Sequence, residues 1–192
     1  MYPLVLASTS PYRRELLARL GLPFATAAPG VDEAAVKRQL RDPAAVVTEL
    51  ARQKARAVAD RQGAAIVIGS DQCACLDGAV LDKPGTEANA RAQLAALAGR
   101  THELLTAVAL AHPGGTIEWT EVTRLTMRAL SGDEIARYTA TEQPFDCAGS
   151  YKIEHLGITL FERVDGADWT AIQGLPLLRL AAELRRLGLP LP

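Results

Sequence analysis

One pattern constrains the fold of this chain most. Short apolar runs are followed by amphipathic segments that begin with a helix-capping residue and a proline. Tyr2–Ala7 and Ala64–Ile68 are apolar runs of strand length, which suits buried strands. Ser10-Pro11 and Asp42-Pro43 each place a capping side chain before a proline that fits the first turn of a helix. The pattern therefore predicts that strands and helices alternate in the first part of the chain.

The remaining elements follow from the same reasoning. We predict helices over Pro11–Leu20, Ala44–Arg61, Ala88–Leu97, Ser131–Ala140 and Leu175–Leu187. Leu104–Ala129 alternates β-branched and polar residues around a Pro-Gly-Gly turn and predicts a long hairpin, and Ile158–Val164 predicts a further strand. An α/β or α+β fold with one mixed sheet and flanking helices is expected, and such sheets often carry two lobes with a cleft between them.

Length and charge narrow the class of protein. At 192 residues, the chain can build one sizeable core or two small lobes, so we expect one domain over residues 1–192. The formal net charge is −1, which argues against nucleic acid as a partner and requires a local cluster of Lys and Arg for any polyanionic ligand. No secretory signal and no apolar run long enough to span a bilayer are visible, so we expect a soluble, cytoplasmic protein without a membrane partner.

Three cysteines give no framework for disulfides or zinc. Cys73 and Cys75 lie two residues apart in an apolar run, and Cys147 is remote from both. A C-x-C pair without a second cluster of Cys or His lacks the spacing of a structural zinc site. Buried, reduced thiols are the expected state of the pair.

The Ser8–Arg14 segment has the features of an anion site. Arg13 and Arg14 fall in the first turn of a predicted helix, where the helix dipole already presents positive charge. Free backbone N–H groups, small hydroxyls and two arginines at one point describe a pocket for an anion. The alternative is two solvated arginines behind Ser10 as a plain helix cap.

Acidic and basic candidates accompany this segment. Asp71 follows an apolar strand, and ligands gather outside the carboxyl ends of strands, although an Asp that caps the next turn is equally common. Glu33 alone resembles a surface residue, and Lys54 and Lys83 alone resemble solvated lysines. The three histidines lie outside metal-ligand spacings, and the glycines match no nucleotide-binding fingerprint. From these residues alone, we infer metal-assisted chemistry on a phosphorylated ligand and nothing more specific.

Taken together, the motifs resemble the Maf family of nucleotide pyrophosphatases. They follow in order along nearly the whole chain: Leu6–Arg14, Val31–Glu33, Leu50–Ala55, Gly69–Gln72, Asp82–Thr86, Asn89–Arg91, Cys147–Lys152, Gly157–Val164 and Gly174–Leu177. Each motif alone is weak, but their order makes the set specific. The resemblance implies a single Maf-like domain with an elongated α/β fold, similar to inosine triphosphatases, and a deep cleft.

The resemblance also implies roles for individual residues. Asp71 matches the catalytic carboxylate that activates water, and Glu33 matches an acidic position that helps to hold a divalent metal together with Asp71, with Mg or Mn expected. The family positions that contact the triphosphate are matched by Ser8, Arg13, Lys54 and Lys83. Arg14 belongs to the expected anion pocket and is therefore a further candidate for phosphate contact. The implied reaction cleaves a nucleoside triphosphate to the monophosphate and pyrophosphate, and a homodimer is left open.

Three further residues bear on which nucleotide is cleaved. Tyr12, Gln72 and Glu154 resemble the branch of the family that cleaves 7-methyl-GTP, whereas the dTTP/UTP branch has Arg in place of Tyr12 and Gln in place of Glu154. N7-methylation makes guanine cationic, and an aromatic face attracts cations. A carboxylate can accept hydrogen bonds from N1–H and the exocyclic amine of guanine. Two alternatives stay open, a dTTP/UTP pyrophosphatase and a non-hydrolytic nucleotide-binding regulator of cell division.

Overall fold

The computed structural model describes residues 2–192, and these residues form a mixed α/β fold with six α-helices and seven strands. In chain order the elements are β1 (Leu4–Leu6), α1 (Pro11–Ala18), β2 (Phe24–Thr26), α2 (Glu33–Gln39), α3 (Pro43–Gln62), β3 (Ile66–Leu76), β4 (Ala79–Leu81), α4 (Glu87–Leu97), β5 (Thr101–His112), β6 (Gly115–Met127), α5 (Gly132–Glu142), β7 (Phe161–Asp165) and α6 (Leu177–Arg186). Three short 3₁₀ helices lie at Ala148–Ser150, Leu156–Leu160 and Trp169–Gln173. The expected fold class is confirmed.

The strands form one sheet that contains both parallel and antiparallel pairs. Its order is β2-β1-β3-β5-β6-β7, and β4 pairs with β3. β1 runs parallel to β2 and to β3, with Val5 opposite Ala25 and Val67. β4 and β7 run antiparallel to β3 and β6. All three residues of β1 are apolar and buried, as expected for a parallel strand covered on both faces.

The chain divides into two compact units. The first contains the residues up to Asp71, then Thr106–Glu121 and Asp168–Pro192, and the second contains Gln72–Leu105 and Val122–Ala167. The single domain over residues 1–192 and the cleft between lobes stay predictions.

The main apolar core belongs to the first unit. Buried side chains from four strands pack with those of α1 and α6, and they include Leu4, Leu6, Leu16, Leu17, Ile66, Ile68, Val108, Leu110, Trp119, Leu180 and Leu184. Full burial of each such side chain contributes about 1.5–3 kcal/mol. This core fixes α1 directly after β1, and so fixes the segment that joins them.

The second unit has its own aromatic cluster. The ring centroids of His102 and Tyr151 are 5.5 Å apart, and those of Tyr151 and Phe161 are 4.9 Å apart. His102 is 1% exposed, and its Nε2 lies 2.9 Å from the Tyr151 hydroxyl. Its Nδ1 has no hydrogen-bond partner among residues 2–192. The ring is therefore a buried polar group that is only half satisfied.

Predictions based on local helix caps are confirmed. Ser10 precedes α1 and accepts a hydrogen bond from the Arg13 backbone N–H, and Pro11 is the first helical residue. At α5, Ser131 and Glu134 form the expected capping box, in which each side chain accepts from the backbone of the other. The long hairpin is also present, as β5 and β6.

Two strand predictions were wrong. β3 does not end near Ile68 but continues through Asp71 to Leu76. Polar residues are tolerated inside it because Ser70 donates to the Gly174 carbonyl and Asp71 accepts from Lys54. The predicted strand Ile158–Val164 begins instead as a 3₁₀ helix, Leu156–Leu160, and becomes extended only at β7.

Three elements lacked a recognised sequence signal, namely β2, α2 and β4. Each is short, with three, seven and three residues. No helix between residues 2 and 192 is long and apolar enough to cross a membrane.

Candidate active site

A buried lysine and a buried aspartate form the centre of the site. Lys54 on α3 is 7% exposed and Asp71 on β3 is 8% exposed. The Lys54 Nζ donates a hydrogen bond of 2.6 Å to Asp71 Oδ1. The same Nζ lies 2.7 Å from Glu33 Oε1, at the first residue of α2. One ammonium group therefore lies between two carboxylates.

Gly69 explains how α3 comes close enough to β3 for this contact. A Cβ on Gly69 would lie 2.2 Å from the Ala51 carbonyl oxygen and 2.5 Å from the Ala55 nitrogen. These distances are too short for any side chain, so only glycine fits at this position. Asp71 lies two residues after Gly69, and alternate residues of a strand share a face. Glycine at position 69 thus lets α3 carry Lys54 down onto the face of β3 that carries Asp71.

α2 places Glu33 beside this pair. Asp32 caps the helix, and its Oδ1 accepts from the Ala35 N–H at 3.0 Å. Val36 packs with Val46 and Leu50 of α3, so the helix is anchored on the element that carries Lys54. The positive end of the helix dipole favours a carboxylate at its first residue. Glu33, with half of its side chain exposed, is therefore both held and accessible.

Burial raises the pKa of Asp71, because its charged form has lost solvent. Lys54 opposes this effect through its charge and its hydrogen bond, and the charge of Arg13 opposes it further. The charge of Glu33 adds to the rise. Asp71 therefore binds a proton more tightly than a solvated Asp, while two cations favour its ionised form.

Arg13, in the first turn of α1, lies in the field of the same carboxylates. Burial lowers the pKa of Arg13, and the charges of Asp71 and Glu33 work against that change. The Arg13 Nε donates to the Gly174 carbonyl at 3.0 Å. This bond leaves the terminal nitrogens of the guanidinium as further donors.

Ser8 lies in the turn between β1 and α1. It is 8% exposed, and its Oγ accepts from the Ser10 N–H at 3.1 Å. The turn leads into the N-terminus of α1, where the helix dipole favours an anion. The expected anion pocket at this point stays a prediction.

The other predicted residues are placed as follows. Arg14 is exposed, and its side chain makes no hydrogen bond or ion pair to residues 2–192. Tyr12 is half-buried in the first turn of α1. Lys83, Gln72 and Glu154 belong to the second compact unit, with Gln72 half-buried on β3 and the other two exposed. The structure thus brings together Glu33, Lys54, Asp71 and Arg13, all in the first unit.

The acidic residues suit a hard cation that also binds phosphate. Within residues 2–192, no group of three or more His, Cys, Asp or Glu is arranged to hold a metal. Glu33 and Asp71 nevertheless reach the same point, the Lys54 Nζ, at 2.7 and 2.6 Å. Mg²⁺ is commonly bound by one or two carboxylates together with substrate phosphates. The residues present fit that arrangement. Cys73 and Cys75 are buried, reduced thiols, as expected.

Sequence reasoning missed the role of Ser70 and Gly174. The Gly174 carbonyl accepts from Ser70 Oγ at 2.9 Å as well as from Arg13. Gly174 follows the 3₁₀ helix Trp169–Gln173 and has φ of +102°, a conformation that glycine adopts readily. A glycine inside a strand, such as Gly69, does signal a close backbone approach, and this clue could have located the α3–β3 contact.

Comparison with known proteins gives a consistent result. Residues 3–187 match the family described as Maf-like protein. The chain is 50% identical over 189 residues to the 7-methyl-GTP pyrophosphatase of Xanthomonas oryzae pv. oryzae (strain MAFF 311018), which covers 98% of both chains. It is 52% identical over 190 residues to the 7-methyl-GTP pyrophosphatase of Xanthomonas campestris pv. campestris (strain 8004), again over 98% of both. A solved structure of a HAM1 protein from Coxiella burnetii shares the fold, with a TM-score of 0.52, 17% identity, and coverage of 97% of this chain and 100% of that one.

Proposed function

The chain belongs to the Maf family, and we propose that it is a nucleotide pyrophosphatase that hydrolyses 7-methyl-GTP to 7-methyl-GMP and pyrophosphate. The observation that carries the proposal is the buried pair of Lys54 and Asp71, which Glu33 approaches from α2. A proton acceptor, a cation and a second carboxylate at one point suit hydrolysis of a phosphate anhydride. The choice of 7-methyl-GTP as the substrate is supported by relatives named 7-methyl-GTP pyrophosphatase, which are about 50% identical over nearly the full length.

Asp71 is the proposed proton acceptor. Its carboxylate takes a proton from a water molecule whose oxygen attacks the α-phosphorus. The bond from the α-phosphorus to the oxygen that bridges to the β-phosphorus breaks, and its electron pair leaves with pyrophosphate. Burial raises the pKa of Asp71, which makes the carboxylate a stronger base, and Lys54 favours the ionised state that this role requires.

Cationic side chains and one hydroxyl group are proposed to hold the triphosphate. Arg13 has its Nε fixed by the Gly174 carbonyl, so its remaining donors are held in one orientation. Lys54 and Ser8 add a buried ammonium and a hydroxyl. Arg14 and Lys83, which are both exposed, are proposed as further phosphate contacts.

Glu33 and Asp71 are proposed to hold a divalent cation, Mg²⁺ or Mn²⁺. When bound, the cation would neutralise negative charge on the phosphates and on the pyrophosphate leaving group. The proposal is supported by the convergence of both carboxylates on the Lys54 Nζ.

Three residues are proposed to read the base. The ring of Tyr12 would attract the cationic face of N7-methylguanine. Glu154, which is exposed, would accept hydrogen bonds from N1–H and the exocyclic amine. Gln72 is proposed as a further polar contact. A uracil or thymine edge offers the carboxylate one donor flanked by two carbonyl groups, and so it would bind less well.

The test is release of pyrophosphate by the purified protein with Mg²⁺ or Mn²⁺, across 7-methyl-GTP, GTP, UTP, dTTP and CTP. A marked preference for 7-methyl-GTP is expected. In Asp71→Asn, an oxygen remains for Lys54 but the amide cannot take the proton, so kcat should fall by about 100-fold or more. Asp60→Asn, on the exposed face of α3, is the matched control and should leave kcat unchanged.

Each other outcome is informative. Unchanged turnover in Asp71→Asn would remove Asp71 as the base. A preference for UTP or dTTP would keep the reaction and reject the assignment of the base. Tight nucleotide binding without release of pyrophosphate would favour a regulator over an enzyme.

A further inference from the structure

We propose that Glu142 is a specificity-positioning residue, whose carboxylate holds the turn that presents Glu154 to the guanine base. The inference rests on the proposed function, because it assumes that Glu154 reads the base. Both residues belong to the second compact unit, and Glu142 is the last residue of α5.

The turn that carries Glu154 is closed tightly upon itself. The Lys152 carbonyl accepts from the N–H groups of His155 and Gly157, both at 3.1 Å. A Cβ on Gly157 would lie 2.3 Å from that carbonyl oxygen, so only glycine fits where the turn closes. Glu154 lies inside this closed turn, and its side chain makes no hydrogen bond to residues 2–192. Its location therefore depends on the backbone of the turn.

Glu142 ties one side of the turn to α5. Its Oε1 accepts from the Leu156 N–H at 3.1 Å, and its Oε2 lies 3.4 Å from His155 Nδ1. The Glu142 side chain is only 14% exposed, because the turn covers it. A carboxylate in this position is engaged with the turn and is not available as a solvated surface acid.

The other side of the turn is tied to the same helix. The Lys152 N–H donates to the Tyr138 hydroxyl at 2.9 Å, and Lys152 Nζ donates to the Glu142 backbone carbonyl at 3.0 Å. Residues on both sides of Glu154 are thus held by the last turns of α5. Burial raises the pKa of Tyr138, and the charges of Glu142 and Glu154 raise it further, so both carboxylates lie near this end of the helix.

The contacts of Glu142 separate positioning from direct recognition. Its two oxygens are directed at the turn, whereas Glu154 has no such partner within residues 2–192 and is exposed. Loss of the Glu142 carboxylate would free the Leu156 N–H and one side of the turn. Glu154 would then be ordered by the substrate at binding, at an entropic cost that falls on guanine nucleotides and not on pyrimidine nucleotides.

The experiment compares Glu142→Ala with Glu142→Gln in the full chain. Alanine removes the acceptor for Leu156, while glutamine keeps an oxygen at that place. For Glu142→Ala, we expect KM for 7-methyl-GTP to rise about ten-fold with kcat within about two-fold, and kinetics with UTP to stay unchanged. Glu142→Gln should recover most of the lost preference. A thermal melt of each variant reports on folding, and Glu142→Asp, too short to reach Leu156, replaces alanine if that variant does not fold.

Glu154→Gln, measured alongside, separates this inference from the proposed function. If Glu154→Gln leaves the preference for 7-methyl-GTP unchanged, Glu154 does not read the base, and the proposed base recognition fails. If Glu154→Gln changes the preference and Glu142→Ala does not, the positioning role alone is overturned. Glu142 would have only a structural role if Glu142→Ala lost equal activity with every nucleotide. The same conclusion would follow if the variant had a lower melting temperature and an unchanged preference for 7-methyl-GTP.

Discussion

Arg13 and Ser70 donate hydrogen bonds to the same oxygen, the carbonyl of Gly174, at 3.0 and 2.9 Å. Ser70 precedes Asp71 on β3, and Arg13 belongs to the first turn of α1. One backbone carbonyl therefore ties the arginine to the strand that carries the buried carboxylate. This arrangement fixes a cation near Asp71 without using the carboxylate itself as the anchor.

Replacement of Ser70 by Ala tests this link. Ser70 is fully buried, and loss of its hydrogen bond should lower the free energy of unfolding by about 1 kcal/mol. Because the shared carbonyl would lose one of its two donors, Arg13 should be held less firmly and KM should rise about three-fold. Urea unfolding and steady-state kinetics measure the two effects.

Thr106→Val is the control for Ser70→Ala. The Thr106 hydroxyl donates to the Ala171 carbonyl at 2.9 Å in the same unit, but Arg13 does not use that acceptor. The control should lose similar stability and keep its KM. An identical rise of KM in both variants would contradict the link through Gly174.

Gly69→Ala should disrupt the contact between α3 and β3. The new methyl group would meet backbone atoms of Ala51 and Ala55 at 2.2 and 2.5 Å, which cannot move aside as a side chain can. A loss of about 3 kcal/mol or more in the free energy of unfolding is expected. Activity should fall in the folded fraction because Lys54 and Asp71 would be pushed apart.

The control for this variant is Gly132→Ala at the first residue of α5. Nothing lies within 4 Å of a Cβ there, and alanine favours helices, so stability should stay equal or rise slightly. Urea unfolding of both variants measures the difference. Equal stability of the two would show that α3 and β3 can separate without loss.

Acid should destabilise the fold through His102. Burial lowers the pKa of His102 from 6.5 to about 4, so the unfolded chain binds more protons between these values. Stability from this residue is complete above pH 6.5, falls as the pH drops to 4, and changes no further below it. The total loss should be up to about 3 kcal/mol.

His102→Gln removes the titrating ring and can still bond the Tyr151 hydroxyl. Urea unfolding at pH 7 and pH 4.5 should show a smaller loss on acidification in this variant than in the natural chain. His112→Gln, which removes an imidazole at the end of β5, is the control variant. A profile unchanged by His102→Gln would mean that other groups govern acid stability.

Glu33→Gln should weaken the response to divalent cations. The concentration of Mg²⁺ or Mn²⁺ for half-maximal pyrophosphate release should rise several-fold, because an amide oxygen binds such ions less well than a carboxylate. Half of the Glu33 side chain is exposed, so the ion pair with Lys54 should contribute under about 1 kcal/mol to stability. Glu15→Gln, an exposed change on α1, should alter neither quantity. An unchanged metal response would remove Glu33 from the proposed cation site.

The parts of the fold that sequence could predict depend on neighbouring residues. The cap of α1 at Ser10 and the capping box at Ser131 involve residues three positions apart, so the pattern contains both partners. The full extent of β3 was missed, because Ser70 and Asp71 suggested the end of a strand. Their acceptor and donor, Gly174 and Lys54, lie 104 and 17 residues away, and no local pattern reveals them.

The candidate site shows the same division. The resemblance to a family could nominate Asp71, Lys54 and Glu33, but it could not show that one ammonium group contacts both carboxylates. That contact requires α3 to lie against β3 at Gly69 and α2 to pack on α3. These are tertiary distances, set by backbone approach and apolar packing rather than by spacing along the chain.

The closed turn from Lys152 to Gly157 also determines which segment of this chain could be transplanted. Moved alone into another scaffold, the turn would leave the N–H groups of Lys152 and Leu156 without the acceptors that Tyr138 and Glu142 now supply. A chimera that exchanges only these six residues would therefore have their sequence but not the conformation of the turn. The smallest portable segment begins in α5 and ends after Gly157.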